Sequence, residues 1–164
     1  MAVDFASKQR DRGGEGWGLR NAKLRMSRKL IFASGLLLCF SCHLDPDLQA
    51  TISTQKHVIK LNLVKHIREF VRQSPLEILA RSVEQFSVAE EIQRDLFSSY
   101  AEFLEILDDK ESRENLISLR ADKSRNDKIF QTIKKISSVF EKALDHVFFE
   151  NSRIGLLTRK YGVF

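Results

Sequence analysis

The side chains best equipped for chemistry in this chain are two cysteines, Cys39 and Cys42, four histidines, His43, His57, His66 and His146, and several close carboxylates. A di-metal site in a helical bundle needs the Glu-x-x-His spacing repeated on paired helices. The four histidines lack it, Glu141 and His146 are five apart and do not share a helix face, and His66 and His146 read as imidazoles accommodated near apolar stripes. Glu90, Glu91, Asp95 and Glu102, or Asp108 and Asp109, resemble the paired carboxylates of acid–base catalysis. They alternate with basic residues, which is the pattern of a solvated helix face. The sequence therefore nominates no catalytic, metal or cofactor-binding residue, and the chain is not expected to be an enzyme. The cysteines remain, and their setting gives them a role.

Both cysteines close the stretch Met26–Cys42, MSRKLIFASGLLLCFSC. It has a positive start (Arg25, Arg28, Lys29), an apolar run from Leu30 to Phe40, and small or cysteine residues at its end, the order of an export signal. This run of eleven residues rises only about 16 Å as a helix, about half of a bilayer's hydrocarbon core. Asp45 ends the window before the roughly 20 apolar residues that a spanning helix needs.

The end of this stretch resembles the signal of bacterial lipoproteins, in which a lipobox of leucine, a small residue, and glycine or alanine precedes a cysteine that receives diacylglycerol. Here Cys39, Phe40 and Ser41 stand before Cys42, with Ser41 matching the small residue and Cys39 and Phe40 departing from the common pattern. The resemblance covers about seventeen residues; it implies cleavage before Cys42, lipid on that thiol, and a membrane anchor in the cell envelope, periplasmic or surface-facing. It implies no fold and no activity. Cysteine usage agrees, since cleavage there discards Cys39 and leaves one thiol that acylation would cap. Three competitors stand beside this reading: simple secretion, an uncleaved membrane anchor, and a buried core helix carrying both cysteines as ordinary apolar residues.

Around that stretch the chain divides into four parts. Residues 1–25 hold four of the seven glycines and Trp17 without apolar periodicity, and read as a disordered extension or a stretch upstream of a true start at Met26. Residues 26–41 are the signal, and 42–54 the lipidated cysteine and a tether with Pro46 and two aspartates. Residues 55–164 are the folded domain. The net charge of +5 is concentrated in residues 1–41, with 8 Lys+Arg against 3 Asp+Glu, whereas residues 42–164 carry 19 of each. A neutral domain without zinc-finger spacing, phosphate loop or aromatic recognition motif does not point to nucleic acid.

Within 55–164, helical spacing recurs. Ile59, Leu63, Ile67, Phe70 and Val71 mark one helix over 55–73. Ser74, Pro75 and Glu77 form a capping box with proline at the first helical position, opening a second helix with Leu79, Val83 and Phe86 inward. Ser87 and Glu90 repeat that spacing ahead of a third, carrying Ile92, Leu96, Tyr100, Phe103 and Leu107. Asp108–Asn115 reads as a charged break. Ile129, Ile133, Ile136, Phe140, Ala143 and Val147 alternate steps of four and three, the seam of a helix at the centre of the core. The chain leaves that pattern after Ile154, with Gly155 placed to cap it. The expected fold is all-α, a small bundle of about four helices behind a cleaved signal. The expected function is a lipid-anchored binding or structural module with an envelope protein as partner; the alternative is a helical adaptor or regulator that is not exported or is membrane-anchored.

Overall fold

The computed structural model describes residues 16–44, 48 and 56–162, without the side chains of 56–61. Among them all regular structure is helical: α1 (Trp17–Arg25), α2 (Ser27–Leu44), α3 (Lys56–Phe70), α4 (Pro75–Gln85), α5 (Glu90–Asp108), α6 (Lys110–Ser118), α7 (Lys128–Asp145) and α8 (Ser152–Tyr161). A 3-10 turn at Ala121–Lys123 precedes α7, and one wide turn at His146–Glu150 separates α7 from α8. The fold is all-α as the periodicity predicts, with more helices than the expected four or so.

Three of the added elements have local causes or tertiary ones that can be named. Asp109 ends the expected charged break by becoming a cap: its carboxylate accepts from Ser112 N at 2.8 Å and starts α6. Hydrogen bonds from Ser112 hold the Asp109 carboxyl below its ordinary pKa. Asn151 does the same for α8, its Oδ1 accepting from Arg153 N and Ile154 N. Gly155 therefore lies inside a helix rather than capping one. A Cβ there would meet Phe149 O at 2.8 Å, so glycine is needed for that close approach. Helix α1 corrects the expectation of disorder over 1–25 for its described part. Gly16 N donates to Ile117 O and Gly18 N to Leu119 O, and Trp17 packs on Phe130 with ring centroids 5.1 Å apart. Those contacts are tertiary, which is why local periodicity does not announce them. Residues 1–15 and most of the expected tether lie outside the described residues.

The capping box that opens α4 is complete. Ser74 Oγ accepts from Glu77 N, and the Glu77 carboxylate accepts from Ser74 N at 2.6 Å. These hydrogen bonds, the backbone one foremost, hold the Glu77 carboxyl below its ordinary pKa. The second expected box is different. Ser87 has φ +51°, Ser87 N donates to Glu84 O, and Val88 N donates to Val83 O. That is the paired carbonyl closure of a helix C-terminus, so Ser87 ends α4 instead of capping α5.

The chain divides into two compact units: residues 1–29 with 91–143, and residues 30–90 with 144–164. In the first, Phe103, Ile133 and Phe140 are fully buried, and Tyr100 lies 5.7 Å from Phe140 between ring centroids. In the second, Leu79, Val83, Val147 and Ile154 are fully buried, and Leu37 and Phe40 of α2 are buried in the same unit. Of the predicted seam, Ile133, Ile136, Phe140, Ala143 and Val147 are buried, the last in the wide turn after α7, while Ile129 is only half-buried and Phe130 beside it is buried. Asn151 ties the second unit together by donating its Nδ2–H to Phe86 O at 3.1 Å.

Candidate functional site

The only residue that the sequence assigns a chemical role, Cys42, lies near the C-terminal end of α2, half-buried, with Cys39 one turn earlier and exposed. Helix α2 needs no strong local cap to form, because packing stabilises its inward face. Leu30, Ala33, Ser34, Leu37, Phe40 and Ser41 are all buried, at the spacing of one helix face. Two of them are polar and both are satisfied. Ser34 Oγ lies 2.7 Å from Leu30 O and 2.7 Å from Pro75 O. Ser41 Oγ donates to Leu38 O at 2.7 Å and lies 2.9 Å from His66 Nε2. Phe40 meets the Phe148 ring edge-on at 6.4 Å, and the His43 ring meets Tyr161 at 5.6 Å.

The Ser41–His66 distance is that of a nucleophile and its base. The serine is only 8% exposed and its proton is engaged by Leu38 O in the helix's own preceding turn. With its proton held by the preceding turn, the hydroxyl ties α2 to α3 through His66. The sequence reading missed this pair, and also Ser34–Pro75. Their one sequence signal is that Ser34 and Ser41 recur seven apart on the apolar face.

The other sequence candidates fall apart as a site. His146 Nδ1 pairs with Glu150 Oε2 at 2.7 Å, and Glu141 pairs with Lys29 at 2.6 Å. Glu90, Glu91, Glu102, Asp108 and Asp109 are exposed, in keeping with a solvated face, and Asp95 is half-buried. The His57 side chain lies outside the described residues. Among the described residues no three His, Cys, Asp or Glu side chains are placed to hold a metal ion. None of the described helices is long and apolar enough to cross a membrane.

The opposite face of α2 is the less ordinary one. Ile31 is 59% exposed and Phe32 51%; Gly35 and Cys39 continue that side, also exposed, and nothing lies within 4 Å of the place a Gly35 Cβ would take. Between residues 16 and 44 there is no acidic residue, while Arg20, Lys23, Arg25, Arg28 and Lys29 precede the apolar run. No protein-family model, curated protein or solved structure matches the chain.

Proposed function

We propose that the chain is the precursor of a lipid-anchored helical module of the bacterial cell envelope, cleaved before Cys42 and acylated on that thiol, with no catalytic activity. The observation that carries this reading is the two-sided apolar character of α2. A helix that only packs on a domain needs one apolar face and keeps the other polar. Helix α2 shows Ile31 and Phe32 to solvent as well as burying Leu30, Leu37 and Phe40. An export signal needs apolarity all round, because the machinery that recognises it and the membrane that receives it contact every side. The basic residues ahead of Leu30 supply the matching orientation signal. Anchored through Cys42, the neutral domain would meet an envelope protein as its partner.

The test is membrane fractionation in cells that process lipoproteins. Cys42→Ala chain should pass from the membrane to the soluble fraction, and equally firm retention would refute lipid anchoring. A second reading is supported by the burial of Leu30, Ala33, Leu37 and Phe40, which cleavage would remove. In it α2 stays as a core helix of an adaptor or regulator that is not exported. It requires an intact N-terminus on the protein taken from its own cells.

A further inference from the structure

Helix α8 buries Ile154, Gly155, Leu157 and Thr158 on one side. At the middle of its other side stands Leu156, 64% exposed, the most exposed large apolar side chain among the described residues. Its neighbours on the helix surface, three residues before it and three and four after, are Arg153, Arg159 and Lys160, all exposed. No aspartate or glutamate occurs in residues 151–164, and Glu150 just before them is held by His146 Nδ1 at 2.7 Å. Tyr161, 49% exposed, ends the helix with its ring 5.0 Å from Lys160 Nζ and edge-on to His43 at 5.6 Å. Arg159 gives one Nη1–H to Phe149 O at 3.3 Å and keeps its other donors for a ligand.

A leucine ringed by cations, with no carboxylate among them, is a pattern that one kind of surface answers in full. Nucleic acid would take the cations and leave Leu156 in water. An apolar protein groove would take Leu156 and strip the cations of their hydration, at a cost in energy. An anionic bilayer takes both at once, because long basic side chains reach the phosphates while the leucine enters the boundary of the acyl chains and a tyrosine lies at headgroup level. We propose that the outward face of α8 is a contact site for anionic phospholipid membrane, with Leu156 inserted and Arg153, Arg159 and Lys160 on headgroup phosphates. The contact goes beyond lipid anchoring at Cys42 and does not depend on it, since α8 is present whether or not the chain is cut there. Salt releases a contact of this kind and leaves a lipid anchor in place, so the two are separable.

The test is sedimentation of the full chain carrying Cys42→Ala, purified with its N-terminus intact and so free of lipid, with vesicles. One set is phosphatidylglycerol and phosphatidylcholine in equal parts, the other phosphatidylcholine alone. The chain should sediment with the first set and not the second, and rising salt should release it. Leu156→Gln should weaken binding at least about fivefold, and Arg153→Gln and Lys160→Gln about fivefold each. Lys123→Gln together with Arg125→Gln, exposed cations ahead of α7, removes as much charge and should weaken binding less than about twofold, being screened from the contact. All the substituted side chains are exposed, so thermal melts should match the parent's. The proposal is overturned if the chain ignores anionic vesicles, if neutral ones bind it equally, if Leu156→Gln binds as the parent does, or if the Lys123 and Arg125 pair matters as much as the α8 cations. Equal affinity for a single-stranded oligonucleotide, unaffected by Leu156→Gln, would overturn it too and assign the cations to nucleic acid.

Discussion

Helices α2 and α7 are both eighteen residues long, and they bury comparable faces. Their outer faces differ. Helix α7 buries Phe130, Ile133, Ile136, Phe140 and Ala143 and shows solvent Lys128, Lys134, Lys135, Glu141 and Lys142 beside one large apolar residue, Val139, 41% exposed. Helix α2 buries Leu30, Ala33, Leu37 and Phe40 and shows solvent Ile31, Phe32 and Cys39. A chain selected only for a stable fold writes the first pattern, because polar residues outside cost nothing and prevent aggregation. The second pattern puts more apolar surface outside, at Ile31, Phe32 and Cys39. On the proposed reading, the extra apolar surface of α2 serves something met outside the fold.

The sharpest way to break this comparison is to truncate each helix's buried side. Phe140→Ala should cost about 3–5 kcal/mol, since a fully buried ring leaves a cavity that its neighbours cannot close. Denaturant unfolding of the full chain checks it. Leu37→Ala in α2 should cost about 2–5 kcal/mol in the unprocessed chain. A chain that begins at Cys42 has no Leu37 to lose, so a stability unaffected in the full chain would show that α2 is not part of its core.

The outer face gives the converse. Replacing Ile31 by lysine should leave stability within about 0.5 kcal/mol, as surface changes do, while lowering the fraction of chain processed at residue 42. Processing that is unchanged would remove the reason offered for its exposure. Two glycines sharpen the same contrast. A Cβ on Gly18 would meet Leu116 O at 2.7 Å and Leu119 Cβ at 2.9 Å, whereas one on Gly35 meets nothing within 4 Å. Gly18→Ala should therefore destabilise by about 1–3 kcal/mol, and Gly35→Ala should stabilise by up to about 1 kcal/mol as a helix-interior glycine removed. Thermal melts of the two variants should move in opposite directions.

The smallest effect lies at α4. Because its native pKa is depressed, the Glu77 carboxylate contributes stability that is fully present above its unfolded value of 4.5 and is lost as pH falls through the lower native value. Ser74→Ala should cost about 1 kcal/mol near neutrality and flatten the acid limb of the stability profile only in part, because the Ser74 backbone N–H, the larger cause of the depression, remains. Glu77→Gln removes the titrating group, and an acid limb unchanged in that variant would mean that Glu77 does not shape it.

How legible each feature is in the sequence depends on where its cause lies. The α7 seam and the Ser74–Glu77 cap are local patterns, and both appear where the spacing puts them. Asp109 is legible as a charge but not as a cap, because a capping aspartate and a solvated one look alike in sequence. Ser87 misleads for a related reason: its spacing to Glu90 suggests a start, while the left-handed backbone that makes it an end is set by bonds back to Val83 and Glu84. Helix α1, built on the Gly18–Leu119 and Trp17–Phe130 contacts, has partners about a hundred residues away and so no local signature. At the candidate site, the expectation for Cys42 rests on its sequence neighbours alone. The Ser41–His66 and Ser34–Pro75 contacts are not legible in the sequence, since they join α2 to helices whose approach no periodicity records.

The measurement that bears most directly on the two-purpose reading of α2 is the intact mass of the protein from its own cells, with its N-terminus located by peptide mapping. A chain that begins at Cys42 and exceeds its sequence mass by a lipid is the predicted result. A chain that still carries Leu30 to Phe40, with Cys42 unmodified, would contradict it and leave α2 as a core helix with an unexplained apolar face.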